Sequence, residues 1–181
     1  MISILKTFKG WVVIEYFLRN PDKKIHIKGL SRELKISPRT SEVYCKKYTK
    51  ENILLFEKIA NTSQYKLNNN YYLVNALKRV FILSLINESK EIKEFIEKNN
   101  LIYLYLYGSY STGEYSKESD LDLLIITNNK KINVEKLLVF GDKNNLKIET
   151  TIYTINEWIK KEKTEFGKNI KNKIQIYKKE I

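Results

Sequence analysis

Cysteine and histidine are almost absent from this sequence, which contains one of each, Cys45 and His26, among its 181 residues. A single cysteine excludes an intrachain disulfide and any metal cluster built on cysteines. One histidine likewise puts the usual zinc ligand sets out of reach. A catalytic metal would therefore be held by oxygen ligands, which favours Mg²⁺ and leaves Mn²⁺ as an alternative.

Long apolar runs are missing as well. No stretch approaches the roughly 20 apolar residues that a membrane span needs, and no N-terminal run has the form of a signal peptide. We therefore expect no membrane partner and a cytoplasmic location. Hydrophobic residues still make up 43% of the chain, a share that predicts folded domains rather than wholesale disorder.

Acidic residues are scarce in the first part of the chain. Residues 1–70 carry 14 Lys and Arg against 6 Asp and Glu, whereas residues 71–181 carry 19 against 15. Lysine is abundant throughout the sequence, so this distribution says more than the net charge of +12. The basic excess in residues 1–70 favours a nucleic-acid partner, with a protein-protein module as the alternative.

Residues 1–70 contain the pattern of a winged helix-turn-helix domain. The predicted elements, in order, are helices over 2–19, 28–34 and 38–51 and strands over 53–59 and 64–67, with a turn at 61–63. Ser37 suits an N-cap and Pro38 suits the first helical position, so the third helix should begin there. This helix would lie in the major groove of duplex DNA. The candidate DNA-binding residues on its exposed face are Arg39, Thr40, Ser41 and Lys46.

The rest of the chain predicts a connecting helical segment over residues 71–98, broken near 87–89, and an α+β domain over residues 99–181. Apolar runs at 101–107, 119–127 and 146–153 predict three strands, and residues 132–140 predict a helix. Gly141 and Asp142 indicate the turn before the third strand. The lysine-rich sequence from residue 156 onward predicts a helical end. This order favours a small mixed sheet flanked by helices.

Two short motifs in the predicted sheet carry candidate chemistry. The first strand stops at Gly108-Ser109, where glycine permits close backbone approach to a ligand and the following amides can hold phosphate oxygens. The second strand begins with Asp120-Leu121-Asp122, and residues two apart on a strand share a face. Two carboxylates side by side in an apolar strand repel each other, and a bridging divalent cation removes that cost. Asp120 and Asp122 are therefore candidate metal ligands.

Glycine-serine, about ten residues, and then aspartate-x-aspartate on an apolar strand resembles the signature of the polymerase-beta-type nucleotidyltransferase superfamily. The minimal prokaryotic branch is the most similar, since residues 107–114 also continue to a glycine-glutamate pair. Prokaryotic proteins that join a winged helix to such a domain share this chain order. The resemblance implies that Gly108 and Ser109 bind the triphosphate and that Asp120 and Asp122 bind two Mg²⁺ ions. Family members usually add an aspartate from the next strand, where this chain offers Glu149.

The resemblance implies a metal-dependent transferase that moves a nucleoside monophosphate, AMP from ATP, onto an acceptor hydroxyl. Asp120, Asp122 and Glu149 would be its catalytic and metal-binding residues. Similar proteins of the minimal branch act as antitoxins that adenylylate a cognate toxin, so a protein side chain is one expected acceptor and a small molecule is another. The alternative is a DNA-binding transcriptional regulator whose nucleotidyltransferase-like domain senses nucleotide or is inactive. A homodimer stays open.

Overall fold

The chain divides into two compact units, Met1–Phe81 and Ile82–Ile181. The computed structural model describes residues 7–59, 62–170 and 172–180. The boundary between the units falls inside a helix, α4 (Tyr72–Glu88). Within the described ranges, no helix is both long enough and apolar enough to cross a bilayer.

Three helices and a two-stranded sheet form most of the first unit. They are α1 (Lys9–Arg19), α2 (Ile27–Leu34), α3 (Pro38–Lys50), β1 (Leu54–Ile59) and β2 (Thr62–Leu67). β1 and β2 are antiparallel, and Ile25 forms an isolated bridge with Tyr65 of β2. The elements and their order are as the sequence predicts. The predicted start of the first helix and Asn61 of the predicted turn lie outside the described residues.

Side chains from the preceding residue cap two of these helices. The backbone N–H of Thr40 donates to Ser37 Oγ at 3.0 Å, and Pro38 occupies the first turn of α3. This confirms the predicted start of the third helix. His26 caps α2 in the same way, accepting from the N–H of Gly29 at 2.7 Å. Each cap satisfies one of the amides that a helix start leaves without an intrahelical partner.

The inner face of α3 corrects one sequence prediction. Ser41 is fully buried, and its hydroxyl accepts a hydrogen bond from Ser31 Oγ of α2 at 3.0 Å. The prediction that Ser41 lies on the exposed face is therefore wrong. Ser41 faces α2, and its small side chain fits between the two packed helices. Cys45, one turn further on, is also fully buried, and burial raises the pKa of its thiol to about 12.

The second unit begins within α4 and contains a mixed α+β arrangement. Its further elements are α5 (Lys90–Asn99), β3 (Tyr103–Tyr107), α6 (Gly108–Thr112), β4 (Leu121–Thr127), α7 (Glu135–Asn144), β5 (Ile148–Thr154), α8 (Ile155–Lys161), α9 (Glu165–Asn169) and β6 (Ile174–Lys178). The strands form one sheet in the order β5-β4-β3-β6. β3 is antiparallel to β4 and β6, whereas β4 and β5 are parallel. The predicted small mixed sheet flanked by helices is confirmed.

Both faces of this sheet are covered by other elements. Successive side chains of β4 point to opposite faces, so this strand contributes to two hydrophobic cores. Leu121 and Leu123 belong to a core that includes Ile86 of α4, Phe95 of α5 and Phe140 of α7. Leu124 and Ile126 of the same strand belong to a second, smaller core with Trp158 of α8 and, at its margin, Phe166 of α9. A central strand buried on both faces accounts for the continuous apolar run after Asp122.

Two predictions for the second unit are wrong. The lysine-rich end is not wholly helical, because residues 174–178 form β6 beside β3, with Ile174 and Ile176 packed against the larger core. Gly141 and Asp142 lie inside α7 rather than in a turn. The helix ends instead at Asn144 and is capped by Asn145, whose backbone is left-handed (φ 54°) and whose N–H donates to the carbonyl of Asp142. Asparagine tolerates this conformation and can therefore replace glycine there.

Glu91, near the start of α5, is expected to make stability depend on pH. Its carboxylate pairs with Lys143 of α7 and accepts a hydrogen bond from Ser89 Oγ at 2.9 Å. Lys143, then the Glu91 amide and Ser89, lower the pKa of this carboxyl from its ordinary value of 4.5 to about 2. A lowered folded-state pKa adds stability above the unfolded value, and that stability is lost as the pH falls from about 4.5 towards 2.

The Glu91→Gln variant should therefore have a lower urea midpoint than wild type at pH 7, and the two midpoints should converge near pH 2. Glu97→Gln, a change of the same kind on the same helix, serves as the control and should show a smaller effect at pH 7. A difference between Glu91→Gln and wild type that stays constant across this range would show that the charge of Glu91 is not the cause.

Candidate active site

The turn after β3 is built on Gly108. This residue has a left-handed backbone (φ 68°), which glycine adopts without the steric cost of a side chain, and it begins the short helix α6. Gly108 is exposed, and its carbonyl accepts a hydrogen bond from Ser111 Oγ at 2.7 Å. The carbonyl of Ser109 accepts from the N–H of Glu114 at 2.9 Å. These bonds fix a tight turn whose glycine end is open to solvent.

Asp122 lies at the same edge of the sheet, as the second residue of β4. In the ladder it stands between Tyr107 of β3 and Glu149 of β5. Paired residues of neighbouring strands point to the same face, so Glu149 and Asp122 lie side by side. Asp122 is half-buried, whereas Glu149 is exposed. The structure thus places Gly108, Asp122 and Glu149 together at one edge of the sheet.

The Asp122 carboxylate lies directly against the turn. A Cβ atom added to Gly108 would stand 2.0 Å from Asp122 Oδ2 and 3.0 Å from its Cγ. No side chain larger than hydrogen can therefore occupy position 108 while Asp122 keeps this position. The glycine provides the backbone conformation of the turn and also the space for the carboxylate.

The electrostatics of this edge are unfavourable for Asp122. Burial raises the pKa of its carboxyl, and the negative charges of Glu149 and then Asp120 raise it further. Nearby groups feel the same charges: burial raises the pKa of Tyr110 to about 12, with a contribution from Asp120. Carboxylates that are partly desolvated and close to one another favour the binding of a cation.

Asp120, just before β4, has a partner that the sequence does not predict. Lys147 Nζ donates to Asp120 Oδ2 at 2.8 Å, and the carbonyl of Lys147 accepts from the N–H of Leu121 at 2.8 Å. Lys147 stands two residues before Glu149, just ahead of β5. Because β4 and β5 are parallel, the residues that precede them meet at one edge of the sheet. The position of Lys147 beside Asp120 follows from this parallel pairing, and a single sequence does not reveal which strands pair.

Tyr107 also belongs to this edge. Its hydroxyl lies 2.9 Å from Thr151 Oγ1, so the ring side chain reaches from β3 to β5. Burial raises the pKa of this phenol, and the charges of Asp122 and Glu149 raise it further. Tyr107 is therefore a neutral polar group beside the carboxylates. The sequence alone predicts Tyr107 only as the end of a strand.

The three carboxylates are suited in kind to a divalent cation, since all their donor atoms are oxygens, which Mg²⁺ prefers. Across the described ranges 7–59, 62–170 and 172–180, however, no three Asp, Glu, His or Cys side chains are clustered closely enough to hold a metal ion as they stand. Asp122 and Glu149 share an edge and a face, whereas Asp120 is turned to Lys147. Asp120 Oδ2 would be free to bind a metal only if that ion pair opened.

The candidate DNA-binding residues lie in the first unit, on α3. Arg39 is exposed, and Thr40 is half-buried, with its hydroxyl 2.8 Å from Ser37 Oγ. Lys46 is exposed and pairs with Glu42 one turn earlier at 2.6 Å. Three of the four candidates therefore keep some access to solvent, and Ser41 does not.

A glycine turn facing an acidic strand edge, within a small mixed sheet, agrees with the class of protein that the Gly108 to Asp122 pattern resembles. The chain belongs to the family described as "Nucleotidyltransferase domain", whose profile matches residues 89–180, just over half of its length. The matched region contains Gly108, Asp122 and Glu149.

Three relatives from Methanocaldococcus jannaschii each match less than half of the chain. All three carry the name "Putative protein adenylyltransferase". The first is 35% identical over 77 residues, which cover 41% of this chain and 63% of the relative. The second is 40% identical over 47 residues, which cover 23% of this chain and 47% of the relative. The chain thus spans less than two thirds of the length of either of these two relatives.

Proposed function

We propose that the second unit is a metal-dependent nucleotidyltransferase that moves AMP from ATP onto an acceptor hydroxyl, with pyrophosphate as the leaving group. The observation that carries this proposal is the position of the Asp122 carboxylate, against Gly108 and beside Glu149. A phosphate group bound at the exposed glycine turn would lie next to these carboxylates. Two anionic partners meet productively only if cations stand between them, so this edge fits a metal-bound triphosphate better than a free one.

In this proposal Asp120, Asp122 and Glu149 hold two Mg²⁺ ions, with Mn²⁺ as a substitute, and Gly108 and Ser109 hold the triphosphate. Such ions neutralise a triphosphate and increase the reactivity of an attacking hydroxyl. The protein contributes the arrangement of donors: a buried strand fixes Asp122, and the parallel strand beside it fixes Glu149. The raised pKa of Asp122 supports this role, because burial and the charges of Glu149 and Asp120 disfavour its charged form and a bound cation would favour it.

The acceptor is proposed to be a hydroxyl of a protein side chain, and the names of the three relatives support adenylylation of a protein. A cognate toxin encoded with this chain is the partner that fits an antitoxin role. Tyrosine, serine and threonine offer the hydroxyls that this chemistry requires.

An assay with ATP labelled at the α-phosphate tests the proposal. In Mg²⁺, wild type is expected to transfer label to a protein or peptide hydroxyl, and Asp120→Ala should abolish the transfer. Glu118→Ala, an exposed acidic residue two positions earlier, is the matched control and should leave transfer intact. Binding of Mg-ATP, measured by calorimetry, gives a readout that does not depend on the acceptor. Equal binding by wild type and Asp120→Ala would contradict the proposal.

The first unit supports a second function, binding of duplex DNA through a winged helix-turn-helix domain. The specific observation is that α3 begins at a capped Ser37-Pro38 start and presents Arg39, Lys46, Lys47 and Lys50 to solvent, followed by the β1–β2 hairpin. Positive side chains on such a helix contact phosphates, and arginine can also read guanine. A regulator and a nucleotidyltransferase are compatible in one chain, since an antitoxin can repress its own promoter.

Duplex binding measured by fluorescence anisotropy tests this second function. The logarithm of the binding constant should fall linearly with the logarithm of the salt concentration. Arg39→Ala should weaken binding, whereas Lys168→Ala, which removes a positive charge from the second unit, should not. Binding that is insensitive to both salt and Arg39→Ala would rule out this use of α3.

A further inference from the structure

Lys147 forms an ion pair with the acidic edge of the sheet. Its ammonium donates to Asp120 Oδ2 at 2.8 Å, and its carbonyl is tied to the N–H of Leu121 at 2.8 Å. The second bond anchors the backbone of Lys147 beside the acids independently of its side chain. Glu149, two residues on, also acts on this ammonium, and both carboxylates raise its pKa, Asp120 more strongly.

The ion pair is built to open easily. The Lys147 side chain keeps 79% of its surface exposed, against 25% for Asp120. An ion pair with one exposed partner is weak, because water solvates the released ammonium almost as well as the carboxylate does. The acid, in contrast, stays in a partly buried position next to two other negative charges. Separating Lys147 from Asp120 therefore costs little free energy for the ammonium. It leaves the Asp120 carboxylate, beside other carboxylates, without a nearby positive charge.

We propose that Lys147 is the counter-ion of the acidic edge when no metal is bound, and that a divalent cation displaces it from Asp120. This inference rests on the proposed function, since it needs a metal at Asp120, Asp122 and Glu149. In the structure Asp120 is turned to Lys147, whereas Asp122 and Glu149 stand side by side in the sheet.

Binding of Mn²⁺ without nucleotide, followed by the electron paramagnetic resonance signal of free Mn²⁺, tests the inference. Lys147→Met keeps the aliphatic part of the side chain and removes the competing charge, so it should bind Mn²⁺ about fivefold more tightly than wild type at low salt. Lys147→Arg keeps the charge and should stay close to wild type. The gain in Lys147→Met should shrink at high salt, where the exposed pair is screened.

Lys130→Met is the matched control for net charge. Lys130 pairs with Glu157 at 2.6 Å beyond the opposite end of β4, so its removal lowers the charge of the protein without touching Asp120. Its Mn²⁺ affinity should change by less than about twofold. Unchanged or weaker Mn²⁺ binding in Lys147→Met would overturn the role of Lys147. Two results for wild type would contradict the proposed metal-dependent function as well: no Mn²⁺ binding, or only binding that Asp122→Asn leaves unchanged.

Discussion

Replacing Asp122 with asparagine is expected to raise the urea midpoint of the metal-free protein while reducing AMP transfer at least about a hundredfold. In the free protein this carboxylate is half-buried beside Glu149, and the raised pKa of its carboxyl shows that its charged form is disfavoured. Asparagine has nearly the same shape and no charge, so the repulsion disappears. The same change removes the central ligand that the proposed metal site requires.

The two effects are measured separately, by urea unfolding in EDTA and by transfer of labelled AMP. Mg²⁺ provides a further comparison, because a ligand that binds only the folded state stabilises it. Mg-ATP should raise the melting temperature of wild type and leave that of Asp122→Asn nearly unchanged. A lower urea midpoint for Asp122→Asn would mean that the carboxylate stabilises the fold and is not held there for a ligand.

The Gly108→Ala variant is expected to lose about 1–2 kcal/mol of stability. Most of this cost comes from the left-handed backbone (φ 68°), which alanine adopts with strain. The added Cβ would also stand 2.0 Å from Asp122 Oδ2, so the short side chain of Asp122 must turn away. A displacement of about 1 Å at a reacting centre costs on the order of a hundredfold in rate, so transfer should fall by at least that factor.

Gly113→Ala separates the backbone cost from the displacement of Asp122. Gly113 ends α6 with a similar left-handed backbone (φ 81°), so its replacement should cost comparable stability with a smaller loss of transfer. In a double-mutant cycle, Gly108→Ala should destabilise Asp122→Ala less than it destabilises wild type, because the overlap is then absent. Strict additivity of the two changes would show that the predicted contact does not matter for stability.

Much of the acidic edge could be predicted from the sequence because its periodicity is local. Two carboxylates spaced by one residue at the start of an apolar strand share a face in any sheet, and a glycine after a strand permits a tight turn. The position of Glu149 next to Asp122 depends in addition on which predicted strand lies beside β4 in the sheet. Glu149 is the one acidic residue of the third predicted strand, and in the structure it stands beside Asp122.

The features that the sequence did not reveal depend on packing between distant segments. β6 has an alternating pattern at Ile174 and Ile176, but its lysines resemble those of the preceding helical stretch, and only pairing with β3 distinguishes the two. The burial of Ser41 depends on how closely α2 approaches α3. Gly141 was predicted to form a turn, but it lies inside α7. Glycine is needed there because a Cβ would stand 2.7 Å from the carbonyl oxygen of Leu146, and this approach of the following segment is not visible in the sequence.

The parallel pairing of β4 and β5 also determines which changes in chain length the domain can accept. Asp122 and Glu149 are neighbours because β4 and β5 pair in the sheet. Their contact does not depend on the length of the loop, about ten residues, between Gly108 and Asp120. Insertions in the loop between α6 and β4 leave that pairing intact. One extra residue between Asp122 and Leu124 would turn the carboxylate to the opposite side of the sheet or push the apolar run out of its core. Homologues should therefore vary in the length of the loop and keep the length of the strand.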